Sequence, residues 1–274
     1  MTTDFGIQDA YAAAMKGVIL GINPEATIVD ICHSIEPQNI AQAAFIISTA
    51  YDYFPQDTIH VVIVDPGVGS QRRAIILRTC KAFFVAPDNG VLSYVIKHTW
   101  LKRKPLADEI NLPAAKLKRL PPEFQAISLT NPKFWRHPIS STFHGRDVFA
   151  PVAAYLSLGM SLEKLGRAIT SLLVFPIPPP QVGSNRELIG HILHIDRFGN
   201  LITNISKEFL PSHKLYVEIG GQRIEGLSTS YAEGDNLLAI LGSSGYLEVA
   251  MKWGSAASLL GAKTGDEVRI KPKE

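Results

Sequence analysis

Four prolines stand within five consecutive positions near the middle of this chain, at 176, 178, 179 and 180. A proline cluster of this density cannot continue a helix and favours an extended, semi-rigid backbone. The chain has 274 residues, enough for one large domain or two ordinary ones. We therefore predict a Pro-rich linker over 175–185, which separates an N-terminal domain of residues 1–174 from a C-terminal domain of residues 186–274.

Strand-like and helix-like segments alternate before the prolines. β-branched runs predict strands, and Ala-rich segments with apolar residues at helical spacing predict helices. This alternation favours a layered α/β domain with a mostly parallel central sheet. The predicted helices are 9–20, 39–53, 91–97, 149–158 and 161–165, and the predicted strands are 27–31, 58–64, 74–77 and 82–86.

The pattern changes after the prolines, where short strands are separated by Gly, Asp and Ser turns. Regular short strands at this spacing are typical of a small antiparallel barrel or sandwich, and we take a β-barrel as the prediction for the C-terminal domain. The predicted strands are 188–195, 201–205, 214–219, 222–224, 236–241, 246–252 and 267–271.

The charge of the chain argues against two classes of partner. A net charge of +2 is too small to predict nucleic acid or a membrane as the main partner. Residues 97–137 carry nine Lys and Arg against three acidic residues. Because this basic segment lacks Gly-rich RNA-type motifs, a solvated insertion is favoured over a nucleic-acid site.

Cysteine content and apolar runs bear on the compartment. The two cysteines, Cys32 and Cys80, give neither a disulfide framework nor metal-ligand spacing. No stretch reaches the roughly 18 apolar residues of a membrane span. Asp4 and Asp9 interrupt the region where a signal peptide would have its apolar core. We therefore expect a cytoplasmic protein with reduced thiols and no membrane span.

A loop that directly follows a predicted strand gives the strongest single signal for a site. The apolar run 58–64 is followed by Asp65 and a Pro- and Gly-rich turn, with Arg72 seven residues after the aspartate. In open α/β sheets, ligands bind at the carboxyl edge of the strands. The residues alone leave three interpretations open: a small-molecule site, a phosphate-binding loop without the Lys-Ser/Thr ending of a P-loop, or a turn closed by an ion pair.

Other motifs also place polar side chains at turns. Asp4 and Asp9 flank a glycine before a predicted helix, and Asp9 is equally suited to cap that helix. His144 also precedes a predicted helix, where it could polarise a water or be structural. The segment 196–200 has the Asp, Gly and Asn of an ordinary β-turn, as does the Gly-Ser-Ser-Gly of 242–245. No His-x-His or His-x-x-x-His pair supports a metal site.

Together these motifs resemble the S-adenosyl-L-methionine hydroxide adenosyltransferases, whose halogenase relatives include the fluorinases and chlorinases. The resemblance runs nearly from end to end, and the order of several independent motifs makes it specific. The motifs are Thr3–Gly6 with Asp9, Val29–Ser34, Asp65–Gly69 with Arg72, Pro87–Gly90, Phe143–Asp147 and Asp196–Asn200.

This resemblance implies an enzyme that hydrolyses S-adenosyl-L-methionine without a metal or an added cofactor. Water would attack ribose C5′ in line with the departing sulfur, giving adenosine and L-methionine. Asp65, Arg72 and His144 would position and activate that water. The resemblance also implies a homotrimer in which each substrate lies between the N-terminal domain of one subunit and the C-terminal domain of its neighbour.

The same resemblance implies a set of substrate contacts. In the N-terminal domain, Asp4 would bind the ribose diol, and Thr142 and Phe143 would line the reacting centre. The remaining contacts are shared by the methionine amino-acid group (Asp9, Asp196 and Ser243) and by adenine (Phe198 and Asn200, with Tyr231 as a further stacking candidate).

Halogenating relatives differ from this chain at the reacting centre. They have Tyr at the positions of Asp65 and His144 and Thr at that of Val68, and a carboxylate at position 65 would repel a halide. Two residues depart from the family pattern, since Ser244 stands where halogenases have Arg and Lys252 where Asn is expected. The hydrolase is therefore favoured, with a chlorinase-like halogenase and a non-catalytic S-adenosylmethionine- or adenosine-binding protein as alternatives.

Overall fold

The computed structural model describes residues 1–101, 115–183, 187–210, 215–233 and 236–273. They divide into two compact units, Met1–Ile177 (unit 1) and Pro178–Glu274 (unit 2), and the division falls within the Pro-rich segment. Residues 102–114 of the basic segment and residues 184–185 of the expected linker lie outside the described residues. Within the described part of the chain, no helix is both long and apolar enough to cross a membrane.

Unit 1 contains eight of the strands and five of the α-helices described here. The strands are β1 (Thr2–Thr3), β2 (Thr58–Ile63), β3 (Ala74–Arg78), β4 (Ala82–Pro87), β5 (Lys116–Arg119), β6 (Gln125–Leu129), β7 (Gly166–Ile169) and β8 (Ser171–Val174). The helices are α1 (Tyr11–Ile22), α2 (Ile40–Ala50), α3 (Ser93–Leu101), α4 (Ala150–Ser157) and α5 (Leu162–Leu165), with single turns at Tyr51–Tyr53, Pro132–Phe134 and Gly145–Phe149.

The central sheet of unit 1 confirms the α/β class but is mixed rather than mostly parallel. Its order is β1-β2-β4-β3-β6-β7. The pairs β1–β2 and β2–β4 are parallel, whereas β4–β3, β3–β6 and β6–β7 are antiparallel. Only residues 79–81 connect β3 to β4. A parallel crossover needs a dozen or more residues, so this connection can only form a hairpin.

The predicted strand over 27–31 is wrong. This segment runs beside the short β1 with isolated backbone bonds, such as that from the Ile31 N–H to the Met1 carbonyl at 2.8 Å. A single bridge between Thr2 and Cys32 is the ladder contact that forms there. Because β1 has two residues, it provides too short an edge for the β-branched run to extend into a strand.

Helices cover both faces of the central sheet. Strand β2 is buried on both sides: Val61 and Ile63 pack with α1 and α4, and Val62 faces α2 and α3. A strand buried on both faces reads as a continuous apolar run rather than an alternating one. The run ends at Val64, so Asp65 is the first polar residue at the carboxyl edge of a fixed core element.

Unit 2 is a nearly closed, antiparallel, barrel-like sheet, which confirms the predicted barrel. Its order is β13-β12-β16-β10-β11-β15-β14, with β9 beside β10. Strand β12 alternates buried and half-buried residues, as a strand with one face on a core does. The strands are β9 (Gln181–Val182), β10 (Leu188–Ile195), β11 (Leu201–Ser206), β12 (Leu215–Ile219), β13 (Gln222–Glu225), β14 (Leu237–Leu241), β15 (Tyr246–Met251) and β16 (Glu267–Pro272), with a single turn at Lys207–Phe209 and helix α6 at Ala256–Leu260.

Candidate active site

Three side chains from two segments that are far apart in sequence form one hydrogen-bonded array in unit 1. The Nε of Arg72 donates to Asp65 Oδ1 at 2.9 Å and to Oδ2 at 3.0 Å, and Nη2 also contacts Oδ2. The same Nη2 lies 3.0 Å from His144 Nδ1. The side chains of Asp65 and Arg72 are only 6% and 10% exposed, so their charges are held in a largely desolvated, bidentate pair.

The loop after β2 is shaped to bring Arg72 against the His144 segment. Gly69 has a φ of +78°, and a Cβ at this position would lie 2.5 Å from the Ser141 carbonyl oxygen. Only glycine combines a left-handed backbone with so close an approach. This contact fixes the turn of the first loop to the segment that ends in His144.

A buried carboxylate holds the His144 segment in place. The Asp147 side chain is fully buried and accepts hydrogen bonds from Arg146 Nε at 2.7 Å and from the Ser140 N–H at 2.9 Å. Arg136 Nη1 lies 3.3 Å from the same carboxylate. Residues Gly145–Phe149 form a π-helical turn, a local distortion that is frequent at functional sites.

His144 is neutral and has a defined tautomer. Burial lowers its pKa below the usual range, and the positive charge of Arg72 acts in the same direction, against Asp65 and Asp147. A guanidinium can only donate, so His144 Nδ1 must accept from Arg72 and the ring proton must lie on Nε2. A neutral imidazole in this state presents an N–H donor to whatever lies beyond it.

This array borders a pocket of about 380 Å³ in unit 1. Asp4, Asp65, Thr142, Phe143 and His144, all predicted from the sequence, line that pocket together. The backbone N–H of Gln38 donates to Asp4 Oδ2 at 2.8 Å, and each carboxylate oxygen has lone pairs for a second partner.

Two predicted residues of unit 1, Arg72 and Asp9, do not line this pocket. Arg72 contacts Asp65 and His144, which do line it, whereas Asp9 lies apart. Asp9 is exposed in the turn before α1. The helix-capping alternative for Asp9 is wrong, because Ala10 occupies the N-cap and no side chain caps the helix. Its predicted role toward the methionine group stays a prediction.

The sequence reasoning missed an aromatic corner of the pocket. The rings of Phe5, Tyr11 and Phe143 contact one another edge to face or tilted, at centroid distances of 5.1–5.7 Å. Phe5 and Tyr11 line the same cavity as His144. The available signal was their position, since Phe5 lies within the Asp4 to Asp9 turn and Tyr11 lies two residues after it.

In unit 2, Asp196 builds the turn in which it lies. Its Oδ1 accepts from the backbone N–H groups of Phe198 and Asn200, each at 2.9 Å, and its Oδ2 accepts from Asn200 Nδ2 at 2.9 Å. This geometry confirms the β-turn interpretation. The turn holds the Asn200 amide in a fixed orientation and leaves the Phe198 side chain 76% exposed.

A second group missed by the sequence reasoning is Glu248 on β15. It is 5% exposed, and Tyr231 donates its hydroxyl to Oε2 at 3.0 Å. Burial raises the pKa of Glu248, and the nearby charge of Asp196 raises it further. Burial and the Glu248 charge raise the pKa of Tyr231 to about 12. The one available signal was a lone acid in the apolar run of β15.

The predicted Ser243 lies in the turn that packs on this carboxylate. A Cβ at Gly242 would lie 1.7 Å from Glu248 Oε1, so the turn requires glycine there. The Gly245 N–H closes the turn on the Gly242 carbonyl at 3.0 Å. Lys252, by contrast, donates to the Ala232 carbonyl at 2.8 Å. Among the residues described, no group of three His, Cys, Asp or Glu side chains is placed to hold a metal ion.

Comparisons with known proteins give a consistent result over nearly the whole chain. Residues 1–166 match the family model of the S-adenosyl-L-methionine hydroxide adenosyltransferase N-terminal domain, and residues 190–269 match that of the C-terminal domain. The chain is 35% identical to the (R)-S-adenosyl-L-methionine hydrolase of Thermus thermophilus, over 98% of this chain and 97% of the relative. A fluorinase of Nocardia brasiliensis is 28% identical over 98% and 95%. A solved structure from Thermotoga maritima superposes with a TM-score of 0.84 at 34% identity, covering 98% of each chain.

Proposed function

The chain belongs to the S-adenosyl-L-methionine hydroxide adenosyltransferase family, and we propose that it hydrolyses S-adenosyl-L-methionine to adenosine and L-methionine. The observation that carries the proposal is the Asp65–Arg72–His144 array beside a pocket that Asp4 also lines. The array offers a carboxylate acceptor and an imidazole N–H donor at one point, which is what a water needs to be held in a single orientation.

The leaving group does not need activation by the enzyme. The sulfonium departs as a neutral thioether, so no acid is needed to protonate it. The C5′–O bond forms as the C5′–S bond breaks, and the attacking water gives up one proton, for which Asp65 is the proposed acceptor. Catalysis therefore depends on holding the water in line with the C–S bond, since positioning of reacting atoms supplies several kcal/mol of the barrier reduction.

We propose different roles for the three side chains. His144 directs its Nε2–H away from Arg72, so it orients the water as a donor. Asp65 is the acceptor for the proton, because a carboxylate bound by Arg72 still has lone pairs to offer. Arg72 fixes both partners, and its positive charge favours hydroxide-like character on the attacking oxygen.

We propose the remaining substrate contacts as the sequence predicts them. Asp4 lies in the pocket of the array and would bind the ribose diol, while Thr142 and Phe143 line the reacting centre. The contacts proposed in addition are those with the methionine amino-acid group (Asp9, Asp196 and Ser243) and with adenine (Phe198, Asn200 and Tyr231). To these we add Glu248, whose raised pKa marks a buried carboxylate that a substrate ammonium would stabilise.

The oligomeric state and the cellular setting are also proposals. We propose a homotrimer in which unit 1 of one subunit and unit 2 of its neighbour share each substrate. The division of the proposed contacts between the two units supports this. A cytoplasmic setting agrees with the free cysteines Cys32 and Cys80. The reaction as proposed needs no metal and no added cofactor.

Water rather than a halide is the proposed nucleophile. Asp65 lines the pocket as a carboxylate, and its negative charge would repel an incoming halide ion in a site of low dielectric. The fluorinase relative is also less similar than the hydrolase relative, at 28% against 35% identity.

Isotope labelling tests the proposal directly. The purified protein is incubated with S-adenosyl-L-methionine in H₂¹⁸O, the products are separated by chromatography, and their masses are measured by mass spectrometry. We expect adenosine with one ¹⁸O at its 5′-hydroxyl and unlabelled L-methionine. Recovery of intact substrate would instead indicate a non-catalytic binding protein. Formation of 5′-chloro-5′-deoxyadenosine in the presence of chloride would indicate a halogenase.

A further inference from the structure

The Val29–Ser34 motif contributes no residue to the array or to the proposed substrate contacts. Its histidine, His33, makes a contact through each of its ring nitrogens. Nδ1 lies 2.8 Å from the Thr3 hydroxyl oxygen, and Nε2 lies 2.9 Å from Asp30 Oδ1. The His33 side chain is 9% exposed and Thr3 is fully buried, so water competes little for the contact between them.

The Thr3 hydroxyl acts as both acceptor and donor. Its oxygen accepts from the Phe5 N–H at 3.3 Å, so its hydrogen is left to donate to His33 Nδ1. When Nδ1 accepts, the ring proton of His33 lies on Nε2, the nitrogen that faces the Asp30 carboxylate. Loss of the imidazole would leave a buried hydroxyl group without an acceptor, which is unfavourable.

Asp30 ties this contact to helix α1. The Lys16 ammonium donates to Asp30 Oδ2, while Oδ1 faces His33. A line of polar contacts thus runs from α1 through Asp30 and His33 to Thr3, the last residue of β1. Because the partner of one ring nitrogen sets the state of the other, Asp30 keeps Nδ1 available as the acceptor.

The line of contacts ends beside Asp4. The Phe5 N–H belongs to the peptide group that joins Asp4 to Phe5, so the Thr3 hydroxyl restrains the backbone directly after Asp4. The His33 carbonyl accepts from the Gly6 N–H at 2.8 Å, which closes the turn from its other end. His33 therefore restrains this turn through both its side chain and its backbone.

Asp4 is the residue whose orientation these contacts decide. Its Oδ2 accepts from the Gln38 N–H at 2.8 Å, and Asp4 lines the pocket together with Asp65. A carboxylate that binds two neighbouring hydroxyls has to offer its oxygens at a fixed angle, because hydrogen bonds weaken steeply when they are bent. A turn that is held at Thr3 and Gly6 supplies that angle.

From these contacts we infer that His33 is a positioning residue for Asp4 and that, through Thr3, it makes the site selective for a ribose with free 2′- and 3′-hydroxyls. The inference rests on the proposed function, in which Asp4 binds the ribose diol. His33 does not line the pocket, so it acts only through the residues that it holds. A contact that merely stabilised unit 1 would affect all ligands of the pocket alike.

Binding of two nucleosides tests the inference. Adenosine and 2′,3′-dideoxyadenosine differ only in the diol, so the ratio of their Kd values, measured by calorimetry, reports the contact with Asp4. The wild-type protein should bind adenosine roughly tenfold or more tightly than the dideoxy compound, as expected for hydrogen bonds to a charged group. Thr3→Val removes the hydroxyl and keeps its shape, and His33→Phe keeps an aromatic ring. In both variants the Kd for adenosine should rise about fivefold or more and that for 2′,3′-dideoxyadenosine should not change.

Two further variants separate positioning from stability. His33→Asn keeps an amide that can accept from Thr3, so it should retain most of the difference between the two Kd values. His60→Phe is the matched control, because His60 is also a buried histidine of unit 1, at 2% exposure, but does not line the pocket. It should leave the ratio of the two Kd values unchanged.

Three results would overturn the inference. An unchanged Kd ratio in Thr3→Val would show that the contact with His33 does not act on Asp4. An equal rise of both Kd values in Thr3→Val and His33→Phe would show that the contact only stabilises the pocket. Equal binding of the two nucleosides by the wild-type protein would overturn the inference together with the proposed Asp4 contact. The formation of labelled adenosine from S-adenosyl-L-methionine is a separate measurement, so failure of the proposed hydrolysis is distinguishable from all three.

Discussion

Replacing Arg72 with alanine should destabilise unit 1 far more than the loss of an ordinary surface arginine. The change removes every contact that Arg72 makes with the Asp65 carboxylate and its position over the Phe149 ring at 5.2 Å. It leaves a carboxylate that is only 6% exposed without its cation. Breaking a buried ion pair on one side costs about 3–5 kcal/mol, so we expect a loss of that size in the free energy of unfolding.

Arg78→Ala is the matched control for this experiment. Arg78 also lies over an aromatic ring, that of Phe83 at 5.3 Å, but it is exposed and its side-chain partner is the neutral Gln125. We expect Arg78→Ala to cost less than about 1 kcal/mol, as exposed polar contacts do. Urea denaturation monitored by circular dichroism measures both variants, with the slope of the transition checked for constancy.

The double variant Asp65→Asn/Arg72→Ala isolates the unpaired charge as the cause. Because asparagine carries no charge, the double variant should be more stable than Arg72→Ala alone, by about 1–3 kcal/mol. The reasoning is refuted if Arg72→Ala costs under about 1 kcal/mol. It is also refuted if the loss of stability in the double variant equals the sum of the losses in Asp65→Asn and Arg72→Ala.

For turnover, Arg72→Lys keeps the charge but loses the guanidinium fork that reaches both Asp65 and His144, so kcat should fall by about 10²–10³.

The pH dependence and the loop contacts give further tests. Turnover requires neutral His144, whose pKa is lowered, so kcat should fall only below about pH 6.5. Asp147→Asn removes a charge that raises the pKa of His144, and it should therefore move the acid limb of the kcat–pH profile to lower pH. Burial lowers the pKa of His60 to about 4, so on acidification His60 is protonated in the unfolded state at a higher pH than in the folded state. The free energy of unfolding should therefore drop by roughly 3 kcal/mol from pH 6.5 to 4. His60→Phe should remove that part of the loss. Gly69→Ala, with its Cβ 2.5 Å from Ser141 O, should lower Tm by several degrees and reduce kcat.

The fold was predictable where local pattern decides structure and not where pairing partners do. The apolar run of β2 and the hairpin turns of unit 2 come directly from residue periodicity and turn chemistry. The prediction of a mostly parallel sheet missed the antiparallel pairs because periodicity does not report strand orientation, whereas the three-residue connection between β3 and β4 does. The segment 27–31 has the composition of a strand, but a strand also needs a neighbour of matching length.

The site shows the same division, which explains why Glu248 was missed. Asp65 and Arg72 are seven residues apart, so one loop suffices to pair them, and the sequence already offered that pairing as an alternative. Burial raises the pKa of Glu248, and the charge of Asp196 raises it further; both causes arise only in the folded barrel. A residue whose surroundings oppose its preferred state, such as the buried Glu248, destabilises the fold, and such a residue persists where a ligand offsets that destabilisation.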